Sequence, residues 1–236
     1  MKDKFIFDVD GTLTPSRQHI NIDFAVFFTD FCANNDVYLV TGSDKEKTIE
    51  QIGEEIYSLC QRVYNCSGND VWQGETHIRS NDWVLPEEPH SWLSLKLTKS
   101  EFPLRTGLHF EHRPGMVNFS VVGRNATLGE RKLYVKHDEE TNERNRIAQA
   151  FNSLFPDIEA RPGGETGIDI APKGLDKSQI IHDFHKDDFI YFFGDRMDPD
   201  GNDYPLAREI KNGRVFAVTS WKDTWERLRA YNANRT

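Results

Sequence analysis

Phe5-Ile6-Phe7-Asp8-Val9-Asp10-Gly11-Thr12-Leu13-Thr14 is the stretch of this sequence that decides its fold. Its apolar start predicts a short buried strand, which ends in two carboxylates two positions apart. Side chains at i and i+2 of a strand point the same way, so Asp8 and Asp10 are expected at one site, beside a turn at Gly11. Ligands bind at the carboxyl ends of strands in open α/β sheets. A cation would relieve the repulsion between the two carboxylates, and one of them could then act as a nucleophile.

The composition narrows the class of protein. The chain has 236 residues, of which 28% are charged and 37% hydrophobic, as in a folded globular protein of one large or two modest domains. A net charge of -9 argues against a nucleic-acid partner, and no apolar run approaches the roughly 20 residues that span a bilayer. Met1-Lys2-Asp3-Lys4 leads into the first strand without a signal-peptide core. With Cys32, Cys60 and Cys66 as reduced thiols, we expect a cytoplasmic protein with no membrane partner.

A second α/β unit follows the opening stretch. A helix predicted over residues 21–34 precedes the β-prone run Val37–Val40 and then Thr41-Gly42-Ser43-Asp44. Ser43, with Glu46 three residues later, has the pattern of a capping box. Ser43 therefore caps the next helix, binds a phosphate at its free N–H groups, or does both. One helix is predicted from the apolar spacing of Ile49, Ile52, Ile56 and Leu59.

The pattern then changes. Residues 84–104 contain three prolines and are interpreted as a linker. Residues 107–123 alternate in polarity, which predicts two antiparallel strands around Pro114-Gly115. A helix is predicted over residues 139–155, and Ile168-Asp169-Ile170 predicts a further strand.

The α/β pattern resumes near residue 175. A short helix predicted over residues 175–184 places Lys177 near its start, and the buried strand Ile190–Phe193 ends close to Asp195. The predicted architecture is an α/β core of residues 1–82 and 175–236 with an inserted α+β domain of residues 83–174.

Polar residues that suit phosphate chemistry lie near the ends of these elements: Asp8, Asp10, Ser43, Lys177, Asp195 and Asp203. Taken alone, the Asp-x-Asp-Gly segment is also typical of a solvated turn. Together, the carboxylates form a site for a hard cation, while the hydroxyl and the ammonium suit phosphate oxygens. Phosphoryl transfer needs this combination, because its catalysis consists mostly of positioning and charge stabilisation.

With these residues in this order, the sequence resembles the haloacid dehalogenase superfamily of phosphotransferases, and within it the eukaryotic-type phosphomannomutases. The superfamily has four motifs, and this chain has similar segments at residues 8–14, 41–44, 176–177 and 194–203. More specific are Thr14-Pro15-Ser16-Arg17 and, in the inserted domain, segments that contain Arg113, Arg124, Arg131 and Gly163-Gly164. The spacings between those arginines resemble those of the family's cap domain.

The resemblance implies a Rossmannoid core with an inserted α+β cap, and it implies roles for single residues. Asp8 would be the nucleophile that forms an aspartyl phosphate, a choice that the residues alone leave open between Asp8 and Asp10. Asp10 would be the general acid/base. Mg²⁺ would be bound by Asp8, the Asp10 backbone carbonyl, Asp195 and Asp203. Lys177 would be the third catalytic residue and would hold the transferring phosphate together with Ser43. The residues that bind the substrate would be Arg17, Ser43, Arg113, Arg124, Arg131, Gly167 and Asp169.

The resemblance also implies the reaction, which is the interconversion of mannose 6-phosphate and mannose 1-phosphate through a hexose 1,6-bisphosphate that also serves as activator. It places the chain in GDP-mannose biosynthesis as a homodimer joined through the cap. Such a mutase must hold a second phosphate, and residues 103–137 carry six Lys or Arg against two acids. Solvated surface arginines are the alternative explanation of that charge.

The chain departs from the family pattern in a shorter cap, in Tyr204-Pro205-Leu206 after Asp203, and at one site residue. Gly167 stands where the family commonly has a serine, two positions before Asp169, and Thr166 could supply the missing hydroxyl. This departure slightly favours a sugar-phosphate phosphatase of the same superfamily, in which water discharges the phosphoenzyme. A non-catalytic phosphosugar-binding protein is the third possibility. The preference for mannose or glucose stays open.

Overall fold

The computed structural model describes residues 3–233, so Met1 and Lys2 of the predicted leaderless start lie outside the described residues. Two compact units make up this part of the chain. The first contains the described residues up to Ser80, Asp176–Pro199 and those from Asp203 onward, and the second contains Asn81–Leu175 with Asp200–Asn202.

The strands, in chain order, are β1 (Asp3–Phe7), β2 (Asp36–Val40), β3 (Arg62–Asn65), β4 (Asp70–Gln73), β5 (Thr76–Ser80), β6 (Phe110–Arg113), β7 (Met116–Phe119), β8 (Ile158–Gly163), β9 (Gly167–Pro172), β10 (Phe189–Gly194) and β11 (Gly213–Ala217). The α-helices are α1 (Ile22–Asn34), α2 (Lys45–Ile52), α3 (Glu54–Leu59), α4 (Glu87–Lys99), α5 (Leu128–Thr141), α6 (Glu143–Leu154), α7 (Tyr204–Glu209) and α8 (Trp221–Ala233). Two 3₁₀ helices span Cys66–Gly68 and Lys177–Asp183.

The first unit is built on a seven-stranded sheet in the order β11-β10-β1-β2-β3-β4-β5. The pairs from β11 to β3 are parallel, and β4 and β5 extend the sheet as antiparallel strands. β1 lies between β10 and β2, with Phe7 opposite both Phe193 and Leu39. These three strands therefore end at the same edge of the sheet, where Asp8 follows β1 directly.

Both faces of this sheet are covered, which explains why β1 is apolar throughout its second half. Phe7 packs on one face against Phe28 of α1, with ring centroids 5.1 Å apart. Ile6 points to the other face, where it joins a cluster with Ile180 of the 3₁₀ helix and Leu206 of α7. The first unit thus has helical layers on both sides of the sheet.

The second unit is built on a four-stranded antiparallel sheet in the order β6-β7-β9-β8. Val117 and Phe119 of β7 are buried on one face, in a cluster with residues of α4, α5 and α6 such as Leu93, Tyr134 and Phe151. The predicted hairpin around Pro114-Gly115 is present as β6 and β7.

Three sequence-based expectations about helices were wrong. The single helix predicted after Ser43 is divided into α2 and α3 at Gly53, whose φ of 83° no helix interior accepts. The predicted linker contains α4, because Pro86 precedes the helix and Pro89 occupies its first turn, where no backbone donor is needed. The helix predicted from residue 139 is preceded by α5, and the two helices meet at Asn142 in the left-handed conformation.

No helix within residues 3–233 is long and apolar enough to cross a bilayer. Cys32, Cys60 and Cys66 are buried and are not joined in disulfides.

Candidate active site

Asp8 and Lys177 form the centre of the candidate site in the first unit. Asp8 is 4% exposed, and the ammonium of Lys177, which is 1% exposed, donates to its Oδ1 at 2.5 Å. The same ammonium donates to Oδ1 of Asp203 at 2.7 Å, and the hydroxyl of Thr12 donates to Oδ2 of Asp8 at 3.3 Å. Burial lowers the pKa of Lys177, but the carboxylates of Asp203 and Asp8 more than offset this and hold it above its usual value.

Three carboxylates meet in this site. Asp8, Asp195 and Asp203 each offer an oxygen, and these oxygens lie within 4.8 Å of one another. Burial and the neighbouring Asp203 and Asp195 carboxylates raise the pKa of Asp8, although Lys177 opposes the shift. Burial and Asp203 likewise raise the pKa of Asp195 to about 6. The three carboxylates carry more negative charge than the single ammonium of Lys177 can balance. Their oxygens therefore fit a hard divalent cation such as Mg²⁺.

Two glycines make room for this cluster. Gly11 has a φ of +82°, and a Cβ placed on it would lie 2.4 Å from Oδ2 of Asp195. A Cβ on Gly194 would lie 2.7 Å from Cγ and Oδ2 of Asp203. Real Cβ atoms do not approach so closely, so a side chain at either position would push a carboxylate out of the site.

Asp10 lies beside the three-carboxylate cluster but is not a member of it. Its Oδ1 accepts from the backbone amide of Arg17 at 2.7 Å and from Nε2 of Gln51 at 3.0 Å. These contacts orient the carboxyl group, and its predicted backbone contact to Mg²⁺ stays a prediction. The sequence did not indicate Gln51, because it lies 41 residues from Asp10 on α2 and belongs to no recognisable motif.

The predicted capping role of Ser43 was wrong. The N-cap of α2 is Asp44, whose side chain accepts from the backbone amide of Lys47 at 2.9 Å, because the helix begins one residue later than the pattern suggested. Ser43 follows β2 at the sheet edge where Asp8 follows β1, and its amide donates to the hydroxyl of Thr41 at 3.1 Å. Its contact with phosphate stays a prediction.

In the second unit, Arg113 and Arg124 converge on Glu111. Arg113 donates to Oε2 of Glu111 at 2.8 Å, and Nε of Arg124 donates to the same oxygen. The two arginine side chains are only 6% and 9% exposed, so they are not solvated surface residues. Burial and the neighbouring Arg113 lower the pKa of Arg124. Two guanidinium groups held by one carboxylate can bind a phosphate.

Arg131 has different contacts. From α5 it donates to the hydroxyl of Thr166 at 3.2 Å and to Glu165 at 2.9 Å, in the connection between β8 and β9. Thr166 is only 2% exposed, and its hydroxyl already accepts a hydrogen bond from Arg131. The contacts of Arg131 and Thr166 with a substrate stay predictions.

Asp169 lies on β9 directly opposite Asn118 of β7, and Nδ2 of Asn118 donates to Oδ1 of Asp169 at 2.6 Å. Gly167, on the same strand, has no side chain, and a Cβ there would lie 2.5 Å from Nδ2 of Asn118. The sequence patterns did not indicate Asn118. A signal was available, because Asn118 is a polar residue between apolar Val117 and Phe119 in a predicted strand.

The chain is similar to known phosphomannomutases over most of its length. A sequence model of the family "Eukaryotic phosphomannomutase" matches residues 24–233. The chain is 31% identical over 211 residues to the phosphomannomutase of Saccharomyces cerevisiae, which covers 85% of this chain and 83% of the yeast protein. It is 30% identical over 239 residues to phosphomannomutase 1 of Homo sapiens, which covers 95% and 90% of the two chains.

Solved structures resemble the fold. An IMP-nucleotidase of Plasmodium falciparum has a TM-score of 0.65 at 15% identity and covers 98% of this chain and 68% of its own. A haloacid dehalogenase-like hydrolase from Bacteroides thetaiotaomicron has a TM-score of 0.55 at 11% identity and covers 98% and 100%. At these identities the likeness concerns the fold alone, and it confirms the predicted haloacid dehalogenase-like α/β core with an inserted α+β cap.

Proposed function

This chain belongs to the eukaryotic phosphomannomutase family, and we propose that it interconverts mannose 6-phosphate and mannose 1-phosphate by phosphoryl transfer through Asp8. The observation that carries the proposal is the position of Lys177, whose ammonium contacts both Asp8 and Asp203, at 2.5 and 2.7 Å, in a cluster with Asp195. A carboxylate nucleophile, a cation beside it and further carboxylates for a metal ion are what phosphoryl transfer through an aspartate requires.

Asp8 performs the covalent step. One of its oxygens attacks phosphorus, and the bond from phosphorus to the sugar oxygen breaks as the aspartyl phosphate forms. Lys177 offsets negative charge at Asp8, and the hydroxyl of Thr12 holds the other carboxylate oxygen. A magnesium ion bound by Asp8, Asp195, Asp203 and the Asp10 carbonyl would supply further positive charge for the phosphoryl oxygens.

Asp10 moves the proton. It protonates the departing sugar oxygen in one half-reaction and accepts the proton of the attacking hydroxyl in the other. Arg17 and Gln51 both donate to Oδ1, which fixes the plane of the carboxyl group and leaves Oδ2 for the proton. Gln51 is therefore a positioning residue for this step.

A mutase must hold one phosphate while the other reacts. Arg113 and Arg124 are buried cations that converge on Glu111 of β6, and we assign them to the phosphate that is not reacting. The remaining substrate contacts are assigned to Arg17, Ser43, Arg131, Gly167 and Asp169. The hexose 1,6-bisphosphate activator, the homodimer through the cap and the place in GDP-mannose biosynthesis stay predictions that rest on the family resemblance. The cytoplasmic location stays a prediction that rests on the sequence.

The decisive experiment follows both fates of the phosphoenzyme. The protein is incubated with mannose 1-phosphate, Mg²⁺ and a catalytic amount of glucose 1,6-bisphosphate, and mannose 6-phosphate and inorganic phosphate are measured together. We expect mannose 6-phosphate to form with little phosphate release. Rapid release of phosphate without mannose 6-phosphate would overturn the proposal in favour of a phosphatase, and neither product would favour a binding protein.

A further inference from the structure

The antiparallel sheet of the second unit carries a row of polar side chains on the face opposite its helices. The neighbours of Asn118 on β7, Val117 and Phe119, point into the apolar cluster under the helices, so Asn118 points to the other face. Cross-strand register aligns four residues on that face: Glu111, Asn118, Asp169 and Arg161. The arginine pair held by Glu111 adjoins this row.

Asn118 has an unfulfilled acceptor. The side chain is 4% exposed, and its nitrogen donates to Asp169, since a carboxylate can only accept. Its Oδ1 is buried and has no hydrogen-bond partner among residues 3–233. A buried acceptor without a donor is costly, so this oxygen needs a donor from a bound molecule, which is either water or a ligand.

The backbone around this pair is shaped to accommodate it. A Cβ on Gly167 would lie 2.5 Å from Nδ2 and 2.8 Å from Oδ1 of Asn118, and a Cβ on Gly163 would lie 2.0 Å from Oδ2 of Asp169. Neither glycine has a left-handed φ. The two glycines therefore leave room for the side chains of Asn118 and Asp169. Their backbone conformation itself does not require glycine.

We propose that Asn118 determines sugar specificity by accepting, at Oδ1, a hydrogen bond from one hydroxyl group of the bound sugar phosphate. This inference rests on the proposed function. A phosphate group is a poor partner because at neutral pH it offers chiefly acceptor oxygens, whereas a sugar hydroxyl supplies a donor. Arg113 and Arg124 would then take the phosphate while Asn118 and Asp169 take hydroxyls of the same ligand.

The test measures binding, so that it does not depend on turnover. The affinities of mannose 6-phosphate and its monodeoxy analogues are measured by calorimetry for the wild type and for Asn118→Leu. We expect the wild type to bind one analogue at least about tenfold more weakly than the parent, and Asn118→Leu to bind that analogue and the parent equally. The other analogues should keep their wild-type ratios. If every analogue keeps the wild-type ratio in the variant, Asn118 contacts no hydroxyl and the proposal is overturned.

A second variant leaves Asn118 itself in place. Gly167→Ala places one methyl group against the side-chain amide of Asn118 and should displace this amide from Asp169. We therefore expect Gly167→Ala to lose the discrimination between mannose 6-phosphate and the deoxy analogue, as Asn118→Leu does. Gly129→Ala is the matched control, because its new Cβ would meet only the Thr127 hydroxyl, at 3.9 Å. Wild-type discrimination in Gly167→Ala would contradict the proposal, and this variant decides the matter if Asn118→Leu does not fold.

The two proposals fail separately. A wild-type protein that shows the expected analogue pattern without interconverting the sugar phosphates would overturn the mutase function and leave the role of Asn118 intact. If the protein interconverts the sugar phosphates and both variants keep the wild-type discrimination, the role of Asn118 is overturned and the mutase function stands.

Discussion

The two units place their polar side chains by different means. In the first unit, parallel strands bring carboxylates to one sheet edge, and Lys177 lies buried between Asp8 and Asp203. In the second unit, cross-strand register aligns side chains on one sheet face, and Glu111 holds two arginines. The first site thus depends on one buried lysine among several carboxylates, so single changes there should abolish function. Changes in the second should weaken recognition by degrees.

The largest expected effect is that of Asp8→Asn. The amide cannot form the aspartyl phosphate, so we expect mutase turnover to fall at least about a thousandfold and no phosphoenzyme to be trapped by acid quench. The control is Asp36→Asn, because Asp36 begins β2 at the opposite edge of the sheet and pairs with Lys4 at 2.8 Å. Normal turnover of Asp8→Asn would refute the assignment of the nucleophile.

Lys177→Met tests the charge balance of the first site. It leaves Asp8 and Asp203 buried without their cation, which we expect to lower the free energy of unfolding by about 3–5 kcal/mol when no Mg²⁺ is present. Because a divalent cation can replace the lost charge, Mg²⁺ should reduce that loss. Urea denaturation with and without Mg²⁺ measures both effects. The control Lys4→Met breaks a more exposed pair and should cost at most about 1 kcal/mol, so equal losses in the two variants would contradict this view.

Arg124→Ala tests the second unit. A charged hydrogen bond to phosphate contributes about 1.5–3 kcal/mol, so kcat/KM for the mutase reaction should fall by about 10- to 150-fold. Turnover of a small aryl phosphate, which has no second phosphate to hold, should stay within about twofold of the wild type. The exposed Lys132 of α5 provides the control, Lys132→Ala, which should affect neither reaction. Equal losses with both substrates would argue against a second phosphate site.

The sequence allowed much of the first unit to be predicted, because local patterns determine it. Apolar runs that end in polar residues marked β1, β2 and β10, and parallel pairing then brought Asp8 and Asp195 to one edge. The hairpin of β6 and β7 was found for a similar reason, since its strands alternate in polarity around a Pro-Gly turn.

The parts that could not be predicted depend on contacts between residues far apart in the chain. Gln51 lies 41 residues from Asp10, and Asn118 lies 51 residues from Asp169. Nothing in either local sequence identifies its partner. The pairing of Arg124 with Glu111 likewise arises only when β6 and β7 pair and the chain beyond β7 returns to them.

The smallest expected effect is the pH dependence of Mg²⁺ binding in the first unit. Burial and Asp203 raise the pKa of Asp195 to about 6, and a proton on this carboxyl group competes with the metal ion. The affinity should therefore rise with pH through this range, with binding about tenfold weaker at pH 5 than at pH 7. Calorimetric titration with Mg²⁺ measures it, while circular dichroism at both pH values checks that the protein stays folded. The raised pKa of Asp8 can only add to the loss at low pH, so an affinity that does not change between pH 5 and 7 would show that neither carboxyl group titrates in this range.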